Sequence, residues 1–522
     1  MQRDGHRKSL WQAGTPVYPS DMTTLPDGTI DVVVVGGGIT GLSTALELRK
    51  AGLSCLLAEA HTIGFGTTGG TTAHLNTVFD TGYHVIAGSF GKDNASLLAD
   101  GAKEAMARIA RNTLDHAPEC GLLARTGYLF AKNEDQAKEL DKLMVATREA
   151  GVPMDPVGKI PVRIPFTKAV AFPDQGQFHP ARYIYGLAAA FEELGGTLVQ
   201  HCRVLSVDEG DTLKVNTERG TVHARHLVYA THIPPGVNIL HFRCAPYRSY
   251  AMAVQLENDA ELPDGLVYDM DDPYHYYRSQ EIDGVHYLIA GGEDHKTGHE
   301  EDTFAPFAKL EAHVREHFNV RAIARQWSSQ YFEPTDGLPY IGRLPMHGNN
   351  MYVATGFGGN GMMYGTLASV VLPSLIVNGQ SMYEKLFDPS RVSVVAGFAN
   401  FAKEAADVVG HLVSAPFPEE KLEGVDGIKA GEGRVVRYDG RSIALHRDMQ
   451  GALHGVNPAC SHIKCTVTWN GAERSWDCPC HGARYSVDGE VLTAPARKPL
   501  QKVGIGADAR THTNEAKHSA DR

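Results

Sequence analysis

The residues best equipped for chemistry are bunched near the C-terminus. Four of the 8 cysteines lie in Cys460-Ser-His462-Ile-Lys-Cys465 and Cys478-Pro-Cys480-His481. Thiolates and imidazoles are ligands for borderline and soft metals, and two Cys-x(1–2)-His hooks in one short segment could close a structural zinc site. Zinc would leave two of these cysteines idle. A second constellation stands near the N-terminus. Asp31-Val-Val-Val-Val runs into Gly36-Gly-Gly38-Ile-Thr-Gly41, then into a segment of helical apolar spacing from Leu42 to Ala51, then into Leu53-Ser-Cys-Leu-Leu-Ala-Glu59. Strand, glycine turn, helix, strand and acid in this order form a dinucleotide fingerprint. Gly36 permits the tight turn, Gly38 lets backbone approach a pyrophosphate, Gly41 brings helix against strand, and the helix N-terminus favours phosphate charge. Glu59 follows at the spacing of an acid that binds ribose hydroxyls.

The C-terminal segment resembles the Rieske protein of the respiratory cytochrome bc complex, a reading that employs all six residues. The resemblance implies a [2Fe–2S] cluster held by Cys460, His462, Cys478 and His481, with Cys465 and Cys480 joined in a disulfide that ties the two loops together. Two neutral imidazoles in place of two thiolates leave the cluster less negative. Potentials of such centres run from about −150 to +300 mV, against about −400 mV for plant-type ferredoxins. In that family a Ser two residues after the last His and a Tyr two further on donate hydrogen bonds to sulfur. Here Tyr485 is kept and Ala483 replaces the Ser, so the expected potential lies below the respiratory type. Pro495, in Thr-Ala-Pro-Ala-Arg, resembles the proline loop that covers the cluster.

After Glu59, the loop Ile63-Gly-Phe-Gly-Thr67-Thr68-Gly-Gly-Thr71-Thr72-Ala73-His74 resembles the D-amino-acid oxidase family of flavoproteins. This implies FAD, with Thr67, Thr68 and Thr71 beside it. Met351-Tyr-Val-Ala-Thr-Gly356-Phe-Gly358-Gly-Asn-Gly361 repeats the glycine pattern, and alone it would suggest a second nucleotide site in an NAD-using reductase. No second strand ending in an acid follows it. In the family this segment returns to the FAD domain. Gly196 to Val204 and the hairpin from Leu213 to Val228 match the strand that passes the adenine and its extension. Some relatives hold flavin covalently through a His in the threonine loop; Gly70 occupies that position here, so non-covalent FAD is expected.

The resemblance covers nearly the whole chain and points to the bacterial subfamily of amino-acid-oxidase-like FAD proteins fused to Rieske domains. It implies an α/β Rossmann-type FAD-binding domain with an α+β substrate domain, followed by a small all-β Rieske domain. The oxidoreductase is placed at residues 1–415. Its FAD-binding segments are placed near 28–90, 175–245 and 335–380, and its substrate segments near 91–174 and 246–334. The Rieske domain is placed at 416–507, after a linker around Ser414-Ala-Pro-Phe-Pro-Glu-Glu, with a disordered tail at 508–522.

Between these sites, Tyr274-His275-Tyr276-Tyr277-Arg278 alternates as a strand, with Tyr274, Tyr276 and Arg278 on one face and His275 and Tyr277 on the other. Relatives pair an Arg on such a strand with a substrate carboxylate, which suits its planar fork. Arg278, His275 and Tyr277 are the candidate substrate-facing residues, and Glu293, Asp294 and His295 form a further polar group. The implied chemistry is hydride removal from the C–H beside the nitrogen of an amine or amino acid. The cluster then passes electrons singly to an external acceptor of ferredoxin, quinone or cytochrome type. An oxidase using oxygen and a non-catalytic redox-sensing or electron-carrier flavoprotein are the alternatives. A Rieske oxygenase would need two His and a carboxylate for a mononuclear iron; no helical His pair with an acid is present, and His223 and His226 fall in a predicted strand.

At 522 residues the chain exceeds one compact core. A net charge of −12 argues against nucleic-acid and anionic-membrane partners. No stretch approaches the roughly 20 apolar residues of a membrane span. The polar start lacks an apolar signal region, which makes the cytoplasm the expected location. Cys55, Cys120, Cys202 and Cys244 are expected to be buried thiols.

Overall fold

The structure, a computed structural model, describes residues 1, 3–20, 22–392, 420–421, 427–438 and 440–505. Most of the expected linker around Ser414 and the tail at 508–522 lie outside the described residues.

Two sheets build the first four-fifths of the chain. The Val-rich run becomes the strand Thr29–Val35 because a parallel strand covered on both faces needs continuous apolar side chains. It pairs in parallel with Cys55–Ala58 on one side and Gly220–Tyr229 on the other. Thr197–Val199 and Met351–Thr355 extend the parallel order outward. The hairpin strands Val204–Asp208 and Leu213–Thr217 hang from Gly220–Tyr229. The helix Ile39–Lys50 starts at once after the glycine turn, earlier than its apolar spacing indicates.

The second sheet has nine strands, mostly antiparallel, in the order Val320–Pro334, Cys244–Leu256, Val285–Lys296, His275–Ile282, Leu266–Asp269, Leu123–Ala131, Lys168–Gln177 and His74–Leu75, with Asp155–Val157 on the edge. Five of its strands, Cys244–Leu256, Leu266–Asp269, His275–Ile282, Val285–Lys296 and Val320–Pro334, come from the stretch expected as a substrate segment. The helix Gly361–Asn378 is the one described helix long and apolar enough to cross a membrane, and most of it is buried inside the protein. It packs on Ile39–Lys50 behind the parallel sheet. The four scattered cysteines are buried thiols.

The C-terminal part holds two four-stranded sheets of short strands. The first contains Gly433–Tyr438, Arg441–Arg447 and Leu453–Val456. The second sheet, Thr468–Asn470, Ser475–Asp477, Arg484–Ser486 and Val491–Thr493, carries the cluster segment.

This small domain is clasped to the larger one by buried charges. Arg248 bonds Asp477 (3.3 Å) and Ser328 (2.8 Å), and Arg484 bonds Asp477 (3.1 Å) and Asp4 (2.9 Å). Arg3 closes the chain on Asp4 at 2.8 Å, and Glu473 accepts from Ser328 Oγ at 2.7 Å. Every charged side chain of this network is at most 5% exposed, so each charge must be neutralised by a neighbour. Burial pushes the Asp4 carboxyl up, but Arg3 and Arg484 outweigh it and hold it at about 2.

Candidate active site and cluster site

The two cluster loops share one design. Cys460 N–H donates to Cys465 O (2.8 Å) and Lys464 N–H returns to Cys460 O (3.0 Å). Cys478 N–H donates to Ala483 O (2.8 Å) and Gly482 N–H returns to Cys478 O (3.0 Å). The fifth residue of each loop, Lys464 and Gly482, has positive φ. At Gly482 a side chain is also excluded by space, since a Cβ would fall 2.6 Å from Pro246. The loops bring Cys460, His462, Cys478 and His481 together, and a disulfide joins Cys465 to Cys480.

The rings of His462 and His481 lie 5.0 Å apart and nearly perpendicular. All four of their ring nitrogens are shielded from water with no hydrogen-bond partner. Buried imidazoles without partners are costly, and metal ligation on one nitrogen of each would offset that cost. Two buried thiols and two such imidazoles are the donor set of a Rieske centre. The Tyr485 hydroxyl accepts from Ser461 N–H (3.0 Å) and lies 3.1 Å from Cys460 Sγ, in reach to donate to it. Ala483 is fully buried beside the loop and offers no such donor. Pro495 is buried, and its carbonyl accepts from Gly236 of the larger domain at 2.9 Å. The His241 ring contacts His462 and His481 at 4.7 and 5.9 Å, and Phe242 contacts His481 at 5.2 Å. The cluster histidines therefore face the oxidoreductase domain.

Next to them runs a long cavity. Gly36, Gly38, Glu59, Thr67, Thr68, Thr71, Val204, Gly358 and Gly361 all line it. Gly41 stands behind the wall, where a Cβ would meet Gly36 O at 1.9 Å; its role is helix–strand approach. Gly356 lines a small adjoining cavity instead. Glu59 accepts from Gly37 N–H (2.6 Å) and His61 N–H (2.7 Å), and burial raises its carboxyl. Thr68 Oγ1 accepts from Ile39 N–H at 3.1 Å, at the start of the helix Ile39–Lys50. Gly70 sits against Ser329 with its carbonyl taken by Trp327, leaving no side chain for covalent attachment. Backbone amides, a helix N-terminus and a buried acid along one channel fit FAD.

The substrate-facing expectation is corrected in part. Tyr274 and Tyr276 line the cavity; Arg278, His275 and Tyr277 do not. Arg278 is fully buried beyond the wall. It donates to Thr72 O (2.6 Å), Gln280 Oε1 (2.6 Å) and Ser279 O (3.3 Å) and lies over Trp11. Its donors hold backbone, so it serves the frame of the threonine loop. Strand alternation sends His275 to the opposite face, where Asp269 (3.1 Å) and Glu293 (3.3 Å) hold it and His313 stacks on it; Tyr277 hydrogen-bonds His313. Of the other polar group, Asp294 reaches the cavity while Glu293 and His295 do not.

Sequence reasoning missed Asp80, Tyr268, Trp327, Gln330 and Tyr331, which complete the wall, and Leu492, Thr493, Ala494, Ala496 and Arg497, by which the C-terminal domain closes it. The missed residues come from separated segments, and no local spacing marks them. Two wall residues reach the cluster loop: Gln330 Nε2 donates to Gly482 O (2.9 Å), and Thr493 Oγ1 approaches the same oxygen (3.4 Å).

A family model described as FAD dependent oxidoreductase matches residues 31–372, and one described as Rieske [2Fe-2S] domain matches residues 421–504. The Rieske 2Fe-2S iron-sulfur protein YhfW of Bacillus subtilis (strain 168) is 30% identical over 95% of this chain and 98% of its own length. The gamma-glutamylputrescine oxidoreductase of Escherichia coli (strain K12) is 25% identical over 71% of this chain and 89% of its own. Among solved structures, glycine oxidase from Geobacillus kaustophilus superposes with a TM-score of 0.59 at 18% identity, covering 70% of this chain and 99% of that one. The chain belongs to the FAD dependent oxidoreductases, in a form whose C-terminus is a Rieske [2Fe-2S] domain.

Proposed function

We propose that the protein oxidises the C–N bond of an amine or amino acid by hydride transfer to FAD, and that the electrons leave singly through the cluster to an external acceptor. In this reading Cys460, His462, Cys478 and His481 hold the cluster. Gly36, Gly38, Glu59, Thr67, Thr68, Thr71, Val204, Gly358 and Gly361 hold FAD. The domain limits are 1–415 and 416–507. When bound, FAD supplies a two-electron acceptor and the cluster a one-electron outlet.

The observation that carries the relay is the Gly482 carbonyl. It adjoins His481 in the chain and is hydrogen-bonded to Gln330, a residue of the cavity wall. The remaining residues shape and dry the site. Tyr268, Tyr274, Tyr276 and Trp327 wall the substrate end, and the buried clasp of Arg248, Asp477 and Arg484 holds the domains in register. The relative named for gamma-glutamylputrescine supports an amine, and the neighbour named for glycine oxidase supports an amino acid.

Anaerobic mixing of the holoenzyme with a panel of amines and amino acids, followed at the flavin absorbance, tests the reaction. Bleaching by at least one member is expected; an unbleached flavin across the panel would overturn the proposal.

A further inference from the structure

The substrate end of the cavity has the wrong charge for the carboxylate of an amino acid. The arginine that would pair with one, Arg278, is outside the wall with its donors spent on Thr72, Ser279 and Gln280. Among the described residues the cavity is lined by two other arginines, Arg203 and Arg497. Arg203 is engaged with His61 (3.0 Å) and Val491 O (2.9 Å), on the Glu59 side. Arg497 donates to Pro235 O at 2.7 Å. Burial, then the nearby Arg278, holds His74 neutral.

The acids, by contrast, gather at the tyrosines. Asp80 and Asp294 line the cavity with Tyr268, Tyr274, Tyr276 and Tyr331. The adjoining small cavity adds Glu333 to Asp80, Tyr274 and Tyr331, and no Lys or Arg lines it. Asp80 already accepts from Gly359 N–H at 3.0 Å. Asp294 Oδ2 accepts from the Tyr331 hydroxyl (3.0 Å) and the Ser249 hydroxyl lies beside the carboxyl, while Oδ1 is shielded from water and makes no hydrogen bond of its own. A buried carboxylate oxygen without a donor is a standing cost, and a ligand ammonium would remove it. The Tyr274 and Tyr276 rings, 5.7 Å apart, add aromatic faces of the kind that attract alkylated ammonium.

We propose that this site selects a cationic amine bearing no carboxylate beside its nitrogen, with Asp294 anchoring the ammonium and then accepting its proton so that the neutral amine can give up hydride, and Tyr274 and Tyr276 walling it. The inference rests on the amine-oxidation reading and narrows it to one substrate class. Burial pushes the Asp294 carboxyl up to about 7 against the hydroxyls of Ser249 and Tyr331, with Asp80 and Glu333 adding to the rise, and a bound cation would favour its charged form.

The test uses the holoenzyme with two readouts. Anaerobic flavin bleaching is compared for matched pairs such as butylamine with norvaline and benzylamine with phenylglycine. Separately, the flavin spectrum is titrated with non-oxidisable butyltrimethylammonium and with valerate. The amine of a pair should bleach flavin at least about tenfold faster, the cation should bind at least about tenfold tighter than the carboxylate, and Asp294→Asn should erase both preferences while cluster and flavin content stay unchanged. Faster bleaching by the amino acids, or tighter binding of valerate, would overturn the substrate class and leave the oxidation reading intact. Bleaching by neither member, with the cation still bound through Asp294, would overturn the oxidation reading and leave the cation site standing.

Discussion

The cluster loops and the flavin cavity meet at Gly482, yet they are assembled from chain segments of very different span. Both ligand loops lie between Cys460 and His481 and close on themselves through their own backbone and one disulfide. The cavity takes its wall from the N-terminal glycine turn, the threonine loop, six strands of the large sheet, the Gly358 turn and the C-terminal domain. A locally closed site depends on its ligands. A site assembled at long range depends on whatever fixes the segments to one another, and here that includes the buried clasp of Arg3, Asp4, Arg248, Asp477 and Arg484.

The largest expected effect separates the two sites outright. Cys478→Ser removes a thiolate ligand, and the Rieske EPR signal should vanish while substrate still bleaches the flavin. Loss of both together would mean the sites are not separable. The clasp is the next lever. Arg484→Met leaves Asp477 and Asp4 short of a buried partner and should cost about 3–5 kcal/mol, read in denaturant titrations followed at the cluster absorbance. An unchanged midpoint would show that the domains are held by something else.

Acid should weaken the same clasp more gently. The folded carboxyl of Asp4 lies at about 2, below its ordinary 3.8. Its contribution is thus present above about pH 4 and lost as pH falls toward 2, an effect of about 2 kcal/mol. The Asp4→Asn variant should lose that part of the pH dependence, as measured by unfolding at pH 5 and pH 3. The smallest effect belongs to one hydrogen bond. Tyr485→Phe removes the donor 3.1 Å from Cys460 Sγ and should lower the cluster potential by about 40 mV, the equivalent of about 1 kcal/mol for one electron. Ala483→Ser should shift it upward. Redox titration of both variants checks the pair, and a Ser that leaves the potential unmoved would remove the explanation for a tempered centre.

The same contrast explains what could be read from the chain. Cys460 through Cys480 and the Gly36 turn were legible because their chemistry is written in consecutive residues. The strand Thr29–Val35 was legible because burial on two faces imposes an unbroken apolar run. Alternation also placed Tyr274 and Tyr276 on one face, apart from His275 and Tyr277. It could not reveal that Arg278, two residues further along that face, passes beyond the cavity and meets Thr72 and Trp11. Asp80, Gln330 and the wall contributed by Leu492, Thr493, Ala494, Ala496 and Arg497 were illegible, because only the packing of distant segments gives them a common space. The clasp was hidden likewise: nothing near Asp4 in the chain announces Arg484.

In the proposed relay, electrons entering at the cavity leave through the cluster of the same molecule. Stopped-flow reduction by an amine under anaerobic conditions, with cluster reduction followed over a wide range of protein concentration, tests it most directly. The docked geometry predicts a first-order rate of cluster reduction that does not change with concentration. A rate that rises in proportion to concentration, or a bleached flavin beside a cluster that stays oxidised, would contradict it.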